Sequence, residues 1–155
     1  TRWAYRELST LGYEYSSSVL PANNPLYGWK EFGAGLQKVD DVWELPVSFV
    51  PVARLPFAAG VYLRTLPTMM IRIAARGHSK RGPVIGYLHP YDIDVDQQRF
   101  MHPGINDSKF YNWLMYLNRH TVFSKLEVLL ADGFEIQTYS SFLKQMHSDH
   151  VNARV

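Results

Sequence analysis

The segment that most constrains this chain is a short apolar run at residues 83–89 (PVIGYLH), enclosed by Gly82 and Pro90. An unbroken apolar run of this length predicts a strand buried on both faces, as in a parallel sheet covered by helices. A helical pattern precedes the run at residues 66–76, and another follows it at residues 109–131. Because strands alternate with helices, the sequence predicts an α/β fold with parallel strands and right-handed crossovers.

Glycine follows three of the four predicted helices where a C-terminal stop is expected, because glycine adopts the left-handed conformation at low cost. Pro67 stands near the start of the second helix, a position that proline favours. Ser140 or Ser141 is the predicted cap of a closing helix that extends to Met146. The other predicted helices and their stops are residues 2–11 with Gly12, 66–76 with Gly77, and 109–131 with Gly133.

Only four segments are convincing as strands, which is too few to close a (β/α) barrel. Pro46 lies inside one of them and demotes it to an edge strand or a bulge. Residues 20–41 are rich in proline, glycine and asparagine, which indicates a long ordered loop or an irregular hairpin. The sequence therefore predicts an incomplete sheet in one domain, residues 1–146, with a flexible tail at 147–155. The four predicted strands are residues 13–19, 42–48, 83–89 and 134–138.

Charge and composition exclude several classes of protein. Sixteen basic and fourteen acidic residues leave a net charge of +2, without the basic stripe of a nucleic-acid binder. Cysteine is absent, which excludes disulfides, thiolate zinc sites and a cysteine nucleophile. No apolar run approaches the roughly 18 residues that a membrane span requires. The chain begins Thr-Arg-Trp without the apolar segment of a signal peptide, as if a longer sequence had been entered partway.

The sharpest local feature is the segment Tyr-Leu-His-Pro-Tyr-Asp-Ile-Asp at residues 87–94. It places His89 at the carboxyl end of the predicted buried strand, where α/β folds carry catalytic groups. Asp92 and Asp94 could orient its imidazole or raise its pKa toward that of a general acid. Alternatively, His89 only finishes the strand and bonds a nearby carboxylate. In a third interpretation the three side chains are metal ligands, but nothing else in the sequence completes the set.

Two further groups of polar residues leave their roles open. The hydroxyls of Ser16, Ser17 and Ser18 close the first predicted strand, where they could bind sugar hydroxyls or satisfy backbone groups of the following turn. Arg64 could reach a carboxylate or a saccharide oxygen, or could bond a local loop. The sequence does not decide between these alternatives.

The order of these segments resembles the C-terminal part of NodB-type polysaccharide deacetylases, in the subgroup linked to bacterial exopolysaccharide and exosortase gene clusters. The His-Pro-aromatic-acidic-Ile-Asp element is the most specific part of the resemblance. Tyr91 and Asp92 stand where that subgroup usually has Trp and Glu, and Ser16 stands where many relatives have Asp. The matching segments are LGYEYSSSV (11–19), LYG (26–28), WELPVS (43–48), AAGVYLRTLP (58–67), GYLHPYDID (86–94) and KLEVLLADGFE (125–135).

The resemblance implies part of a distorted (β/α) barrel whose N-terminal, metal-binding half is missing from this sequence. It implies removal of N-acetyl groups from a polysaccharide with a divalent metal, most simply zinc. The family's Asp-Asp and His-x-x-x-His motifs, which hold the metal and supply the base, do not occur in this chain. His89 matches the family's general acid. The substrate-binding or supporting residues implied are Ser16, Ser17, Tyr27, Arg64, Leu88, Tyr91, Asp92 and Asp94.

We therefore expect the 155-residue chain to be inactive alone, with no metal bound by its own residues. Its expected partners are an N-acetylated polysaccharide and the missing N-terminal half of the same domain, with no nucleic acid and no membrane span. The alternative is a non-catalytic domain that binds a saccharide or a partner. The sequence leaves the compartment open between the bacterial cytoplasm and the cell envelope.

Overall fold

The computed structural model describes residues 2–21, 28–51 and 53–152. The chain divides into two compact units, residues 1–123 and residues 124–155. The helices are α1 (Trp3–Thr10), α2 (Gly60–Thr65), α3 (Thr68–Ser79), α4 (Pro90–Ile93), α5 (Lys109–Tyr116), α6 (Val122–Ala131) and α7 (Tyr139–Asn152). The strands are β1 (Tyr15–Ser16), β2 (Gln37–Val39), β3 (Val42–Glu44), β4 (Phe49–Val50) and β5 (Leu55–Pro56), and short 3-10 helices cover Lys30–Phe32 and Arg119–Thr121.

The first unit contains a three-stranded sheet in the order β1-β3-β2. Strand β3 runs parallel to β1 and antiparallel to β2. Asp40 and Asp41 join β2 to β3, both with positive φ (45° and 68°), as a tight two-residue hairpin turn requires. The prediction that β3 is an edge strand or bulge was wrong, because the ladder ends at Glu44, before Pro46, and β3 is the central strand.

The prediction of a strand at residues 83–89 was also wrong, because this segment forms no regular strand. Its one ladder pairing is the parallel bridge between Ala59 and Tyr87. The Ile85 N–H donates to the hydroxyl of Ser48 at 2.8 Å instead of to a strand carbonyl, and the Ile85 carbonyl accepts from the Ser48 N–H. A Cβ at Gly86 would overlap the backbone of residue 58. The segment therefore bonds two different neighbours, one near Ser48 and one near Ala59, and forms no continuous ladder with either.

Helix α1 ends as predicted. Gly12 has φ of 79°, and its N–H donates to the Ser9 carbonyl while the Tyr13 N–H donates to the Leu8 carbonyl. This pair of bonds is the Schellman arrangement, in which a left-handed glycine satisfies the last carbonyls of a helix.

Helix α3 begins after Pro67 as predicted, but Gly77 does not end it. The helix continues to Ser79 because His78 belongs to its buried face, together with Ile71 and Ala75 at helical spacing. The His78 ring bonds the Ser48 hydroxyl at 3.1 Å. Packing of the residue after the glycine thus overrides the local stop signal.

The single helix predicted over residues 109–131 is two helices. The chain leaves α5 at Leu117 with extended backbone and turns through Asn118, which has φ of 58°. The carbonyls of Leu114, Met115 and Leu117 accept hydrogen bonds from Arg64, a residue about fifty positions earlier. A distant guanidinium therefore supplies the donors that another turn of helix would have supplied.

In the second unit, α6 ends at Gly133 as predicted, with φ of 89° and bonds from the Gly133 and Phe134 N–H groups to the preceding turn. The predicted strand at residues 134–138 was wrong. Phe134 completes the end of α6 and Thr138 caps α7 through its hydroxyl, which leaves too few residues for a ladder. Helix α7 extends through Asn152, beyond the predicted end at Met146.

The structure is thus mixed α/β with two small sheets, and the described residues form no closed barrel. A cluster of Leu20, Val47 and Ala59, with Tyr87 packed against it, joins the segments that flank the sheet. The partial barrel stays a prediction. Over the described ranges, no helix is long and apolar enough to cross a bilayer.

Candidate functional site

His89 stands at the N-terminus of the short helix α4, with its side chain exposed. Pro90 follows it at the first helical position, where its fixed φ favours the helix and no N–H is needed. The Asp92 carboxylate reaches back to accept the His89 N–H at 3.0 Å, and the Asp92 N–H donates to the His89 carbonyl at 2.9 Å. These two bonds fix the backbone of His89 relative to the helix.

Asp92 is in turn held by Arg64, and both side chains are fully buried (1% and 0% exposed). The Arg64 Nε–H donates to Asp92 Oδ1 at 3.0 Å, while Oδ2 remains for the His89 backbone. Burial lowers the pKa of Arg64, and the adjacent Asp92 charge opposes that effect. A buried charge is costly unless it is paired and hydrogen-bonded, so the pair and its bonds form one interdependent unit.

Helix α2 supplies two residues beside the Asp92 carboxylate, Arg64 and Gly60. Arg64 lies on its buried face, and its first residue, Gly60, lies beside the Asp92 carboxylate. Gly60 has φ of 36°, which strains any other residue, and its N–H donates to the Tyr87 carbonyl. The positive φ at Gly60 therefore lets α2 begin directly against the segment that leads to His89.

The imidazole of His89 lies between two tyrosine rings. Tyr91 stacks on it at 4.8 Å with an interplanar angle of 24°, and Tyr87 contacts it edge-on at 5.2 Å. Ring contacts of this kind contribute about 0.5–1.5 kcal/mol each beyond area burial. They restrict the imidazole orientation without covering it, because the His89 side chain stays exposed.

A second histidine continues the same row of rings. His102 contacts Tyr91 at 5.7 Å and Tyr116 at 5.5 Å between ring centroids. Arg119 lies over the Tyr116 ring at 4.2 Å. Burial first, and then the charges of Arg119 and Arg64, lower the pKa of His102. Sequence reasoning missed His102 and Arg119, because their common contact is the ring of Tyr116 on another element.

Several predicted site residues lie elsewhere or have other contacts. The Asp94 carboxylate is exposed and accepts the Asp96 N–H, so it does not orient His89 in the way proposed from the sequence. Leu88 is half-buried. Tyr27 lies outside the described residues.

Ser16 and Ser17 belong to a different cluster, around Glu44. The Ser17 hydroxyl donates to the Leu45 carbonyl at 2.8 Å, and the Ser16 hydroxyl bonds that of Ser18 at 3.0 Å. The turn interpretation of the serines accounts for these bonds. Glu44 is fully buried and accepts the N–H groups of Ser18 and Val19, both at 2.8 Å.

Sequence reasoning missed Glu44 and its partner Tyr5. The Tyr5 hydroxyl donates to Glu44 at 2.9 Å, and burial together with this carboxylate raises the pKa of Tyr5. The available signal was an acidic residue inside an apolar strand, since such a residue must find donors if it is buried. A cavity of about 430 Å³ lies beside this cluster and is lined in part by Tyr5, Ser18 and Trp29.

The residues around His89 do not fit a metal centre. Asp92 faces Arg64 and the backbone, and the Asp94 carboxylate bonds Asp96. No group of three or more histidine, cysteine, aspartate or glutamate side chains within the described segments is placed to hold a metal ion. What the arrangement can do by itself is present one exposed imidazole, rigidly placed, for proton transfer.

A comparison with known protein families shows the family to which this chain belongs. The family described as a domain of unknown function, DUF3473, matches residues 17–144. The chain belongs to that family. Neither the curated proteins nor the solved structures contain a match.

Proposed function

We propose that this chain is part of a metal-dependent carbohydrate N-deacetylase, of the NodB type, in which His89 is the general acid. The substrate would be an N-acetylated polysaccharide. The Asp-Asp and His-x-x-x-His motifs of that class do not occur in the sequence, so the metal and the base must come from polypeptide other than these 155 residues.

The observation that carries the proposal is the support of His89 by a buried ion pair. Arg64 and Asp92 form an ion pair that is buried from solvent. The second carboxylate oxygen of Asp92 accepts a hydrogen bond from the His89 backbone N–H. These bonds fix the backbone from which the exposed imidazole projects. The DUF3473 family is also associated with polysaccharide deacetylase-like proteins, which agrees with the resemblance seen in the sequence.

In the proposed reaction a water molecule would add to the acetyl carbon and give its proton to the base supplied by the other polypeptide, and the imidazolium of His89 would donate a proton to the amide nitrogen as the bond between carbon and nitrogen breaks. The amine then leaves as a neutral group, and acetate is the second product. Positioned general acids typically contribute about 10²–10⁴-fold to the rate. Tyr87 and Tyr91 hold the imidazole in one plane, and their exposed edges can contact the sugar ring.

The test is acetate release from an N-acetylated polysaccharide by the gene product that includes the coding sequence in frame before Thr1. We expect release in the presence of zinc, about 10²–10⁴-fold less with His89→Gln, and none from the 155-residue chain alone. His120→Gln is a matched control, because His120 is an exposed histidine outside the site. Full activity with His89→Gln would disprove the proposed role.

A second candidate function is saccharide binding without catalysis, favoured by the exposed aromatic surface of α5. Phe110 and Trp113 are 63% and 53% exposed, with ring centroids 6.0 Å apart, and none of the residues of α5 is buried. Binding of a glycan by the isolated chain without metal, abolished by Trp113→Ala and unchanged in His89→Gln, would favour this candidate.

A further inference from the structure

Three basic side chains gather around the ring of Tyr116, and one of them, His102, also contacts Tyr91. The guanidinium carbon of Arg119 lies 4.2 Å from the ring centroid and that of Arg99 lies 5.4 Å from it. The His102 ring is 5.5 Å away. In the described segments, neither arginine forms an ion pair with a carboxylate.

Arg119 is buried, at 4% exposed, yet its hydrogen-bonding capacity is only partly used. Its Nε–H donates to the Met115 carbonyl, and Nη1 donates to the Asp94 carbonyl and to Gln97 Oε1. Nη2 is buried and has no partner among the described residues. All of its acceptors are neutral, so the positive charge is not balanced by a carboxylate in hydrogen-bond contact.

His102 has the same incomplete arrangement. Its Nε2 is buried without a hydrogen-bond partner in the described part of the chain. The His102 ring and the Arg119 guanidinium both contact the ring of Tyr116, at 5.5 Å and 4.2 Å from its centroid. Buried polar atoms are normally paired, so two unpaired nitrogens beside one ring require an explanation.

We propose that Arg119 and His102, with Arg99 at the rim, bind an anionic oxygen group, either a carboxylate or a phosphate. An arginine with a free Nη2 and a histidine nitrogen offer donors to oxyanions, and guanidinium bonds to charged oxygens are stronger than neutral ones. Such a group would also balance the charge that Arg119 carries out of solvent.

Exposed side chains lie at the rim of this site. Arg99 and Phe100 are exposed and contact the rings of Tyr116 and His102. They lie in the stretch between α4 and α5, residues 94–108, which contains no helix or strand. Loops of this kind open at lower cost than packed helices.

The location suggests the source of the anion. Tyr91 contacts both His89, at 4.8 Å, and His102, at 5.7 Å, so one ligand can reach both histidines. We assign the anionic group to an acidic sugar of the polysaccharide, with free phosphate as the competing source. This assignment rests on the proposed function, whereas binding of an anion by Arg119 and His102 does not.

The test follows the His102 ring signals by NMR in the full 155-residue chain with labelled histidine. Sodium glucuronate and inorganic phosphate are compared with sodium chloride at equal ionic strength and with methyl glucoside as a neutral sugar. We expect glucuronate to raise the pKa of His102 more than chloride does, because a bound anion offsets the two guanidinium charges. The ring of the exposed His120 serves as the internal reference for salt.

Variants identify the binding groups. Arg99→Gln should weaken glucuronate binding about two- to fivefold, as for an exposed ion pair. Arg119→Lys should weaken it about tenfold or more, because the fork of N–H donors is lost. Arg6→Gln removes the same charge from an exposed position of α1 and should leave binding unchanged. If Arg119→Lys does not fold, the comparison of Arg99→Gln with Arg6→Gln still tests whether glucuronate binds at this site.

A His102 response to glucuronate and phosphate no larger than to chloride would overturn the anion site. A response to phosphate alone would overturn the acidic-sugar assignment and leave phosphate as the ligand. Because these readouts need no catalysis, they separate failure of the anion site from failure of the deacetylase proposal. Acetate release without a His102 response to anions would overturn only the anion site. A His102 response without acetate release would overturn only the deacetylase proposal.

Discussion

Among the described residues of the first unit, two carboxylates are buried, and they are stabilised in different ways. Asp92 is paired with a buried cation, Arg64, and also accepts the His89 N–H. Glu44 is equally buried but is held by neutral donors, namely the Tyr5 hydroxyl and two backbone N–H groups. Removing the charge of Asp92 leaves a buried cation unpaired, whereas removing the charge of Glu44 does not. The two clusters should therefore differ in what they tolerate.

This contrast also separates a supporting role from an anchoring one. The Asp92 pair joins α2, α4 and the end of α5 at the point where His89 is exposed. The Glu44 cluster joins α1 to strands β1 and β3, away from the described contacts of His89. Both are structural in energetic terms, but only the first positions a group that can react.

The largest expected effect is that of Asp92→Asn. An amide cannot neutralise Arg64, and breaking a buried pair by removing one partner costs about 3–5 kcal/mol. Urea unfolding followed by tryptophan fluorescence measures this change. Asp94→Asn is the matched control, since that carboxylate is exposed, and should change the free energy of unfolding by about 0.5 kcal/mol or less. Equal effects of Asp92→Asn and Asp94→Asn on the free energy of unfolding would show that the buried ion pair stabilises the fold no more than an exposed carboxylate does.

Glu44→Gln should be less costly, at about 1–2 kcal/mol. The remaining amide oxygen can still accept the N–H groups of Ser18 and Val19, and the Tyr5 hydroxyl can accept from the new amide nitrogen. The same urea experiment applies, with the exposed Glu14→Gln as control. A loss as large as that of Asp92→Asn would show that the neutral donors stabilise charge as effectively as Arg64 does.

Acid should destabilise the fold through a third buried group, His78. Burial lowers its pKa, chiefly by desolvation and then by the nearby charge of Arg81. As pH falls below the ordinary histidine pKa of about 6.5, the unfolded chain binds a proton that the folded chain does not, so the free energy of unfolding decreases. His78→Gln should flatten this dependence in urea titrations between about pH 7.5 and about pH 5.5, one unit above and below that value. An unchanged slope would assign the acid sensitivity to other groups.

Among the substitutions at these buried groups and at His89, the smallest change in stability is expected of His89→Gln, about 1 kcal/mol, because the side chain is exposed and loses mainly its two contacts with Tyr87 and Tyr91. This contrasts with the large loss of acetate release expected of the same variant. A destabilisation comparable to that of Asp92→Asn would mean that His89 is a structural member of the cluster rather than the group that the cluster supports.

The sequence selected several members of this cluster as candidate site residues, and their roles stay a prediction. His89, Asp92, Arg64 and Tyr91 were all candidates, and the structure brings them into contact. Asp92 follows from the helix start, because an acidic residue three positions after an N-cap reaches back to its N–H. Glu44 and Arg119 could not be selected in this way, since their partners are distant in sequence.

The sequence by itself determined the features that depend on contacts between residues close together in the chain. Gly12 and Gly133 end α1 and α6 because their left-handed backbone satisfies carbonyls only a few residues earlier. Only the tertiary structure decided the division between α5 and α6, the extension of α3 past Gly77 and the irregular course of residues 83–89. In each case a side chain or backbone group from a distant segment competes with the local hydrogen bond, and burial makes the distant partner the stronger one.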